Sequence, residues 1–267
     1  MIGFVVAPFR SAWRHRQLVR ALTGREVLAS FHTSLLGGAW LVLQPLSTLL
    51  VYALVFGGLL GLGGHQGGMA FVTSLFAGMI VYQAFAETAA KAPHLVVARP
   101  TFVTKVVFPL DVLPWPVAAQ AALNALISTT MLVLLHWLLV EAPAWTAMLL
   151  PVVLLPSLVL GLGAGYFLAA LGVYVRDTAD VVRVVLHLLF FLCPIVWTLG
   201  DVRDPTLSSL VLWNPLAVVI EAMRAALRGG SGPGLVPLAA VASFAVLFAA
   251  AGHRFFQRVR GGFADVL

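Results

Sequence analysis

The sequence predicts an all-α integral membrane protein of six transmembrane helices with both termini on the cytoplasmic side. Three observations carry that prediction. Hydrophobic residues make up 61% of the 267 positions and charged residues only 10%, whereas a soluble domain carries charge on about a quarter of its residues. Long stretches are nearly free of charge, the first from Leu35 to Leu62, and about 20 apolar residues in a helix suffice to cross the hydrocarbon. Finally, 13 of the 16 Lys and Arg residues fall in four patches that alternate with these stretches. Cytoplasmic loops collect basic residues and exported loops do not.

The patches set the order of elements. They are Arg10, Arg14, Arg16, Arg20 and Arg25; then Lys91, Arg99 and Lys105; then Arg176 and Arg183; and last Arg254, Arg258 and Arg260. The spans are expected at Leu35–Leu60, Phe71–Ala90, Val112–Leu139, Trp145–Val173, Val181–Leu199 and Leu235–Gly252. One membrane domain over 1–267 results: a cytoplasmic interface segment at 1–34, spans one to five over 35–199, an outer element at 200–234, span six at 235–252 and a cytoplasmic tail at 253–267.

The basic start is amphipathic. Beyond Gly24, Val27, Leu28 and Phe31 face one way and Arg25, Glu26 and His32 the other, so an interfacial helix on the inner leaflet is expected. The apolar run that follows is longer than the core of a secretory signal, and no cleavage-like site follows it. The outer loops Gly61–Ala70 and Val140–Ala144 are short; Gly200–Gly234 is long. Within it, Asn214-Pro215 gives a break and a favourable first helical turn. Leu216, Val219, Ile220, Met223 and Leu227 then repeat at helical spacing, with Glu221, Arg224 and Arg228 as an opposing polar stripe and Gly229-Gly230 as the stop. About 14 residues are too few to span. This helix is expected to re-enter or lie along the outer leaflet, a plain amphipathic connector being the alternative.

Composition excludes several classes. A net charge of +6 and a pI near 10.2 suit nucleic acid in a soluble protein, but here the excess sits at span ends, where anionic headgroups and topology account for it. The single cysteine, Cys193, leaves no disulfide framework or Cys metal site, and no metal is expected. The two lysines, Lys91 and Lys105, follow no phosphate loop. Gly57, Gly58 and Gly61, like Gly161, Gly163 and Gly165, have spacings that permit close helix packing. An ion-coupled carrier keeps an ionisable group near the midplane, and Glu87 stands only toward the inner end of the second span. Ser157 and His253 lack the glycine elbow of a hydrolase. His136 and His187 read as span-end or packing histidines. The remaining positive feature is aromatic: Trp40, Tyr52, Phe56, Tyr82, Phe85, Phe190, Phe191 and Trp197 lie in the first, second and fifth spans. Such side chains can line a sugar conduit or simply pack.

Local motifs then point further. Ser34-Leu35-Leu36-Gly37-Gly38-Ala39-Trp40 with Leu43-Gln44-Pro45-Leu46, Thr104-Lys105-Val106-Val107-Phe108-Pro109-Leu110-Asp111, Tyr174-Val175-Arg176-Asp177, Phe190-Phe191-Leu192-Cys193-Pro194-Ile195-Val196-Trp197, and Trp213-Asn214-Pro215-Leu216 with Ile220-Glu221-Ala222-Met223-Arg224 occur in order. In order and spacing they resemble the ABC-type polysaccharide export permeases, which serve O-antigen, capsule or teichoic acid. Arg25-Glu26 stands where that family has Arg-Asp, and Cys193 where a small polar residue precedes Pro-Ile.

The resemblance implies a channel-forming subunit, not an enzyme, that carries a lipid-linked polysaccharide across the bacterial inner membrane. It implies a homodimer with two separate ATPase subunits that hold ATP and Mg, no cofactor in this chain, contacts with membrane lipids, no nucleic acid, and room for periplasmic export components. Pro93, His94, Arg99, Lys105, Phe108 and Pro109 would form the ATPase-coupling loop, with a short helix over His94–Val103. Arg20, Arg25, Trp40 and Pro194 would flank a lateral gate for the lipid phosphate. Tyr52, Phe56, Tyr82, Phe85, Phe190, Phe191 and Trp197 would line the glycan channel, and Asn214, Pro215, Glu221 and Arg224 the outer gate. A drug or small-lipid ABC exporter is the nearest alternative. A membrane-embedded glycosyl- or acyltransferase is more remote, since only Asp177 and Asp180 offer a carboxylate pair.

Overall fold

The computed structural model describes residues 2–32, 37–52, 54–55, 68–104, 108–198, 204, 206, 211–230 and 232–267. Among the described residues all regular structure is helical. Four stretches are long and apolar enough to cross a membrane: Gly68–Lys91, Leu110–Leu139, Trp145–Tyr174 and Leu235–Val266.

The chain opens with α1 (Ile2–Arg14) and α2 (Arg16–His32), parted only at His15. Next, α3 (Trp40–Tyr52) carries Pro45 inside it and covers part of the expected first span; 53 and 56–60 lie outside the described residues. Helix α4 (Gly68–Lys91) follows, then the short helices α5 (His94–Val97) and α6 (Pro100–Thr104). The single helix expected over His94–Val103 is thus two. Pro100 disfavours helical backbone at Arg99 and starts a new turn instead. Helix α7 (Pro114–Leu139) has Pro at its first turn, where its missing N–H costs nothing. Helices α8 (Leu150–Val153) and α9 (Leu155–Tyr174) form one near-continuous rod.

Helix α10 (Thr178–Leu192) is shorter than the expected span to Leu199. Pro194 drives its predecessor out of the helical region, and Cys193 is extended at φ −85°, ψ 144°. At 15 residues the helix is about 22 Å long, short of the roughly 30 Å hydrocarbon. Helices α11 (Pro215–Arg228), α12 (Leu235–Val259) and the terminal turn α13 (Phe263–Val266) complete the chain.

Burial separates centre from periphery. In the most apolar window of α4, 61% of residues are buried, against 28% in that of α7; α4 and α9 are therefore the central pair, and α7 and α12 flank them. Glycines set the spacing. Gly161 meets the carbonyls of Phe85 and Ala84 on α4, where a Cβ would lie 3.1 and 3.3 Å away. A Cβ on Gly252 of α12 would come within 2.6 Å of the Gly163 carbonyl oxygen. Small residues let helix backbones touch in an apolar medium, where dispersion rather than hydrophobicity holds helices together.

Two cores result. One joins Phe71, Leu75, Leu154 and Ile195 to the apolar face of α11. The other joins Leu95, Val96, Tyr166, Val173, Phe256 and Phe263 beneath the α4–α7 connection.

Candidate functional site

Along α4, between α3 and α10, runs a groove of three adjoining cavities. The largest, about 510 Å³, has Trp40 and Gln44 of α3 on one wall, Glu87 and Lys91 of α4, and Gln120 and Asn124 of α7. The second, about 220 Å³, is lined by Thr48, Met79, Tyr82, His187, Phe190 and Phe191. The third, about 230 Å³, adds His94 and Arg183 to Tyr82 and His187. Gln83 borders the first and second, Tyr82 and His187 the second and third, and Ala90 and Leu186 the first and third, so the three share walls.

The aromatic cavity is built by ring geometry. Tyr82 meets Phe190 edge-on at 5.4 Å and Phe190 meets Phe191 edge-on at 5.3 Å. The Tyr82 hydroxyl donates to the Leu186 carbonyl at 2.5 Å, fixing the ring between α4 and α10. Of the other expected channel aromatics, Trp40 lines the polar cavity instead, and Phe85 packs against the core beside α9. Trp197 donates its indole N–H to the Phe191 carbonyl at 3.3 Å and borders none of the three cavities. Phe56 and the side chain of Tyr52 lie outside the described residues.

At one end of the bundle the α4–α7 connection packs tightly. Pro93 is buried against Gly172 of α9, and His94 is exposed toward the third cavity. Arg99 donates to the Leu95 carbonyl and pairs with Glu26 of α2 at 3.4 Å. Phe108 stacks on Phe102 at 4.5 Å, and Pro109 precedes the turn that begins the α7 rod. Lys105 lies outside the described residues. Arg20 and Arg25 are exposed on α2, which packs against α7.

At the other end, α11 clamps the break in α10. The Asn214 side chain caps α11 by accepting from the Leu216 N–H at 3.0 Å, while its amide donates to the Cys193 sulfur at 3.3 Å. Gly229, at φ +71°, closes the helix in the left-handed conformation that glycine adopts without strain. Spacing alone puts Arg224 on an outward polar stripe. In the structure it is only 4% exposed, because α4 and the segment after α10 cover that side. Its guanidinium donates to the Ser74 carbonyl at 3.2 Å, the Ile195 carbonyl at 3.0 Å and the Glu221 carboxylate at 2.7 Å. Pro194 is buried at the same break.

Two constellations went unread in the sequence. One is the Glu87–Lys91–Gln120–Asn124 network; its signal was a pair of polar i, i+4 steps on two apolar helices, which meet when the helices pack side by side. The other joins Ser11, whose hydroxyl donates to Asp111 at 2.5 Å, to His253, 3.4 Å from the same carboxylate. It fastens α1 to the start of the α7 rod and to α12. No sequence signal pairs positions so far apart.

The comparisons place the architecture. Residues 17–227 match the family model described as ABC-2 type transporter, and the chain belongs to that family. Among similar proteins is the O-antigen export system permease protein RfbA of Myxococcus xanthus, 30% identical over 257 residues, covering 96% of this chain and 97% of that protein. A Klebsiella pneumoniae protein of the same name is 21% identical over 251 residues, covering 94% and 95%. The polysialic acid transport protein KpsM of Escherichia coli is 28% identical over 219 residues, covering 79% and 81%.

Proposed function

We propose that this chain is the membrane subunit of an ATP-driven exporter that moves a lipid-linked polysaccharide across the bacterial inner membrane. The observation that carries the reading is 30% identity to an O-antigen export permease across nearly the whole of both chains. The polysialic acid relative extends the same transport to a second surface glycan, so the shared chemistry is a polysaccharide and not one particular sugar. The groove supports it: a polar cavity beside an aromatic one offers both hydrogen-bonding groups and flat apolar faces, which a moving pyranose chain needs in turn.

The finer arrangement follows from the same reading. The chain forms one six-span domain, with α3 and α10 in the first and fifth spans and both termini inside. Two copies pair around one pathway, each coupled to a separate ATPase subunit that holds ATP and Mg. The α4–α7 connection, with Pro93, His94, Arg99, Lys105, Phe108 and Pro109, meets that subunit. Arg20 and Arg25 draw the lipid phosphate toward an opening beside Trp40 and Pro194. The α11 region, with Asn214, Pro215, Glu221 and Arg224, closes the outer end.

Deleting the gene in its native host tests the reading. Surface glycan should vanish, lipid-linked glycan should accumulate inside the cell, and a plasmid copy should restore export. Undiminished surface glycan in the deletion strain would refute it.

A further inference from the structure

We propose that the cavity between α3, α4 and α7 is a sugar subsite, at which Glu87, Lys91, Gln120 and Asn124 hydrogen-bond the hydroxyls of a pyranose unit lying against Trp40. This rests on the polysaccharide reading and gives it a specific place of contact.

The polar network stands toward one end of two helices with mean hydropathies of 1.6 and 1.7 over their apolar windows, and ionisable groups on such helices face a water-filled space or a partner and mark function. Lys91 reaches Glu87 at 3.0 Å and the Gln120 side-chain oxygen at 2.8 Å. The Asn124 amide donates to both Glu87 oxygens, at 3.1 and 2.9 Å. As a staple between α4 and α7 this is a weak device: the Lys91 side chain is 39% exposed and that of Glu87 22%, and such a partly exposed pair contributes only about 0–1 kcal/mol.

Charge identifies the class of ligand. The ammonium and carboxylate cancel, so the cavity presents no net charge to hold a phosphate. It presents an array of donors and acceptors instead: two side-chain amides, a carboxylate with spare lone pairs and an ammonium with three hydrogens. Sugar hydroxyls both donate and accept, and match such an array. Trp40, with an amphipathic ring 45% exposed, supplies the flat wall. A cavity of about 510 Å³ lies within the range of ligand sites. A site built to bond a hydroxyl also rejects an analogue lacking it far more strongly than an apolar pocket can, so this is where the exporter would read its glycan.

The test uses the whole exporter in glycan-producing cells. A photo-crosslinking p-benzoylphenylalanine replaces Gln44, which borders only the polar cavity, or Phe191, which borders only the aromatic one. After illumination the subunit is probed with an antibody to the strain's surface glycan. A glycan-bearing band from the Gln44 position is expected. Silence there overturns the subsite. Phe191 and the deletion strain then show which reading fell: crosslinking at Phe191 leaves polysaccharide export standing, whereas silence at both positions with undiminished surface glycan removes export too. The second arm is the double variant Glu87→Leu/Lys91→Met, which keeps volume and removes both charges. Export should fall at least tenfold at wild-type membrane levels. Normal export by that variant reduces the network to a staple and overturns the proposal; where the variant fails to accumulate, the Gln44 result decides.

Discussion

Replacing Gly172 with alanine should dislodge the turn at the foot of α4. A Cβ built there would stand 2.8 Å from both the carbonyl carbon and the Cα of Pro93, against 3.4–4 Å for ordinary contact, and would overlap the Pro93 carbonyl oxygen outright. Neither side can swing away, since each is backbone: α9 on one side and the Ala92–Pro93 turn on the other. Overpacking of this kind costs about 1–3 kcal/mol, and the absence of a side chain that could yield argues for the upper end. Alanine recovers about 1 kcal/mol of helix propensity over glycine. The net loss is then about 2 kcal/mol, or about 4–8 °C in thermal midpoint by the soluble-protein conversion. The assay is thermal unfolding of the purified protein in one fixed detergent, followed by fluorescence-detected size exclusion. Gly24→Ala is the matched control, since nothing lies within 4 Å of its Cβ position in α2, and it should hold or raise the midpoint. If Gly172→Ala melts with wild type while Gly24→Ala behaves as expected, the close approach of α9 to Pro93 does not constrain this turn. Because the turn opens the segment proposed to meet the ATPase subunit, Gly172→Ala should also raise ATP hydrolysed per glycan exported.

Other perturbations follow from the same geometry. Arg224→Met strips the Ser74 and Ile195 carbonyls of their charged donor and should cost about 2–3 kcal/mol, while Glu221→Gln, at a partly exposed carboxylate, should cost under about 1 kcal/mol; equal midpoints for the two variants would contradict the burial of Arg224. Arg99→Glu meets Glu26 and loses a half-exposed pair at 3.4 Å, so stability should change by less than about 1 kcal/mol while co-purification of the ATPase subunit falls; unchanged recovery of the ATPase counts against that contact. Charge reversal at Arg20 and Arg25 together should lower export without lowering membrane levels, and full export in that variant removes their role toward the lipid phosphate. Single cysteines along 215–228 should react with an impermeant external thiol reagent differently at rest and during turnover. State-independent reaction would make α11 a passive cap, and reaction only from the inside would invert the topology.

What the sequence discloses depends on how local the cause is. The ends of α11 were legible because Asn214, Pro215 and Gly229 act on backbone within a few residues of themselves, and its apolar face because period alone defines it. The glycine contacts of α9 were legible for the same reason: a residue without a side chain can only be used for approach. The early end of α10 was not, since hydropathy runs unbroken through Leu192-Cys193-Pro194-Ile195 and one proline outweighs it. Arg224 defeats periodicity differently. A helix has an outward face only if something leaves it uncovered, and here Ser74 and Ile195 come from elements far away in sequence. The Glu87 network needs the pairing of α4 with α7, which no single window contains.

Packing also divides the bundle by stiffness. On one side of α4, glycines bring α9 into backbone contact, and α9 continues in the same manner onto α12 and beneath Pro93. At Gly161 and Gly172 the contacts are backbone on backbone, with no side chain that could yield by changing rotamer, so those two approaches shift as rigid bodies. On the other side, α4 faces α3 and α10 across cavities, with the Tyr82 hydroxyl and edge-on rings among the contacts to α10. Cavities on that face leave the helices room to part. The break after Cys193 then gives α10 a pivot, and Asn214 and Arg224 tie that pivot to α11. A displacement of α10 away from α4 would widen the groove and pull on α11 in one movement, whereas a displacement at the Pro93 turn would travel through α9 as a strut. The exporter proposed above needs both properties, a stiff path from its energy source and a compliant wall beside its cargo. In this chain one helix, α4, has one of them on each face.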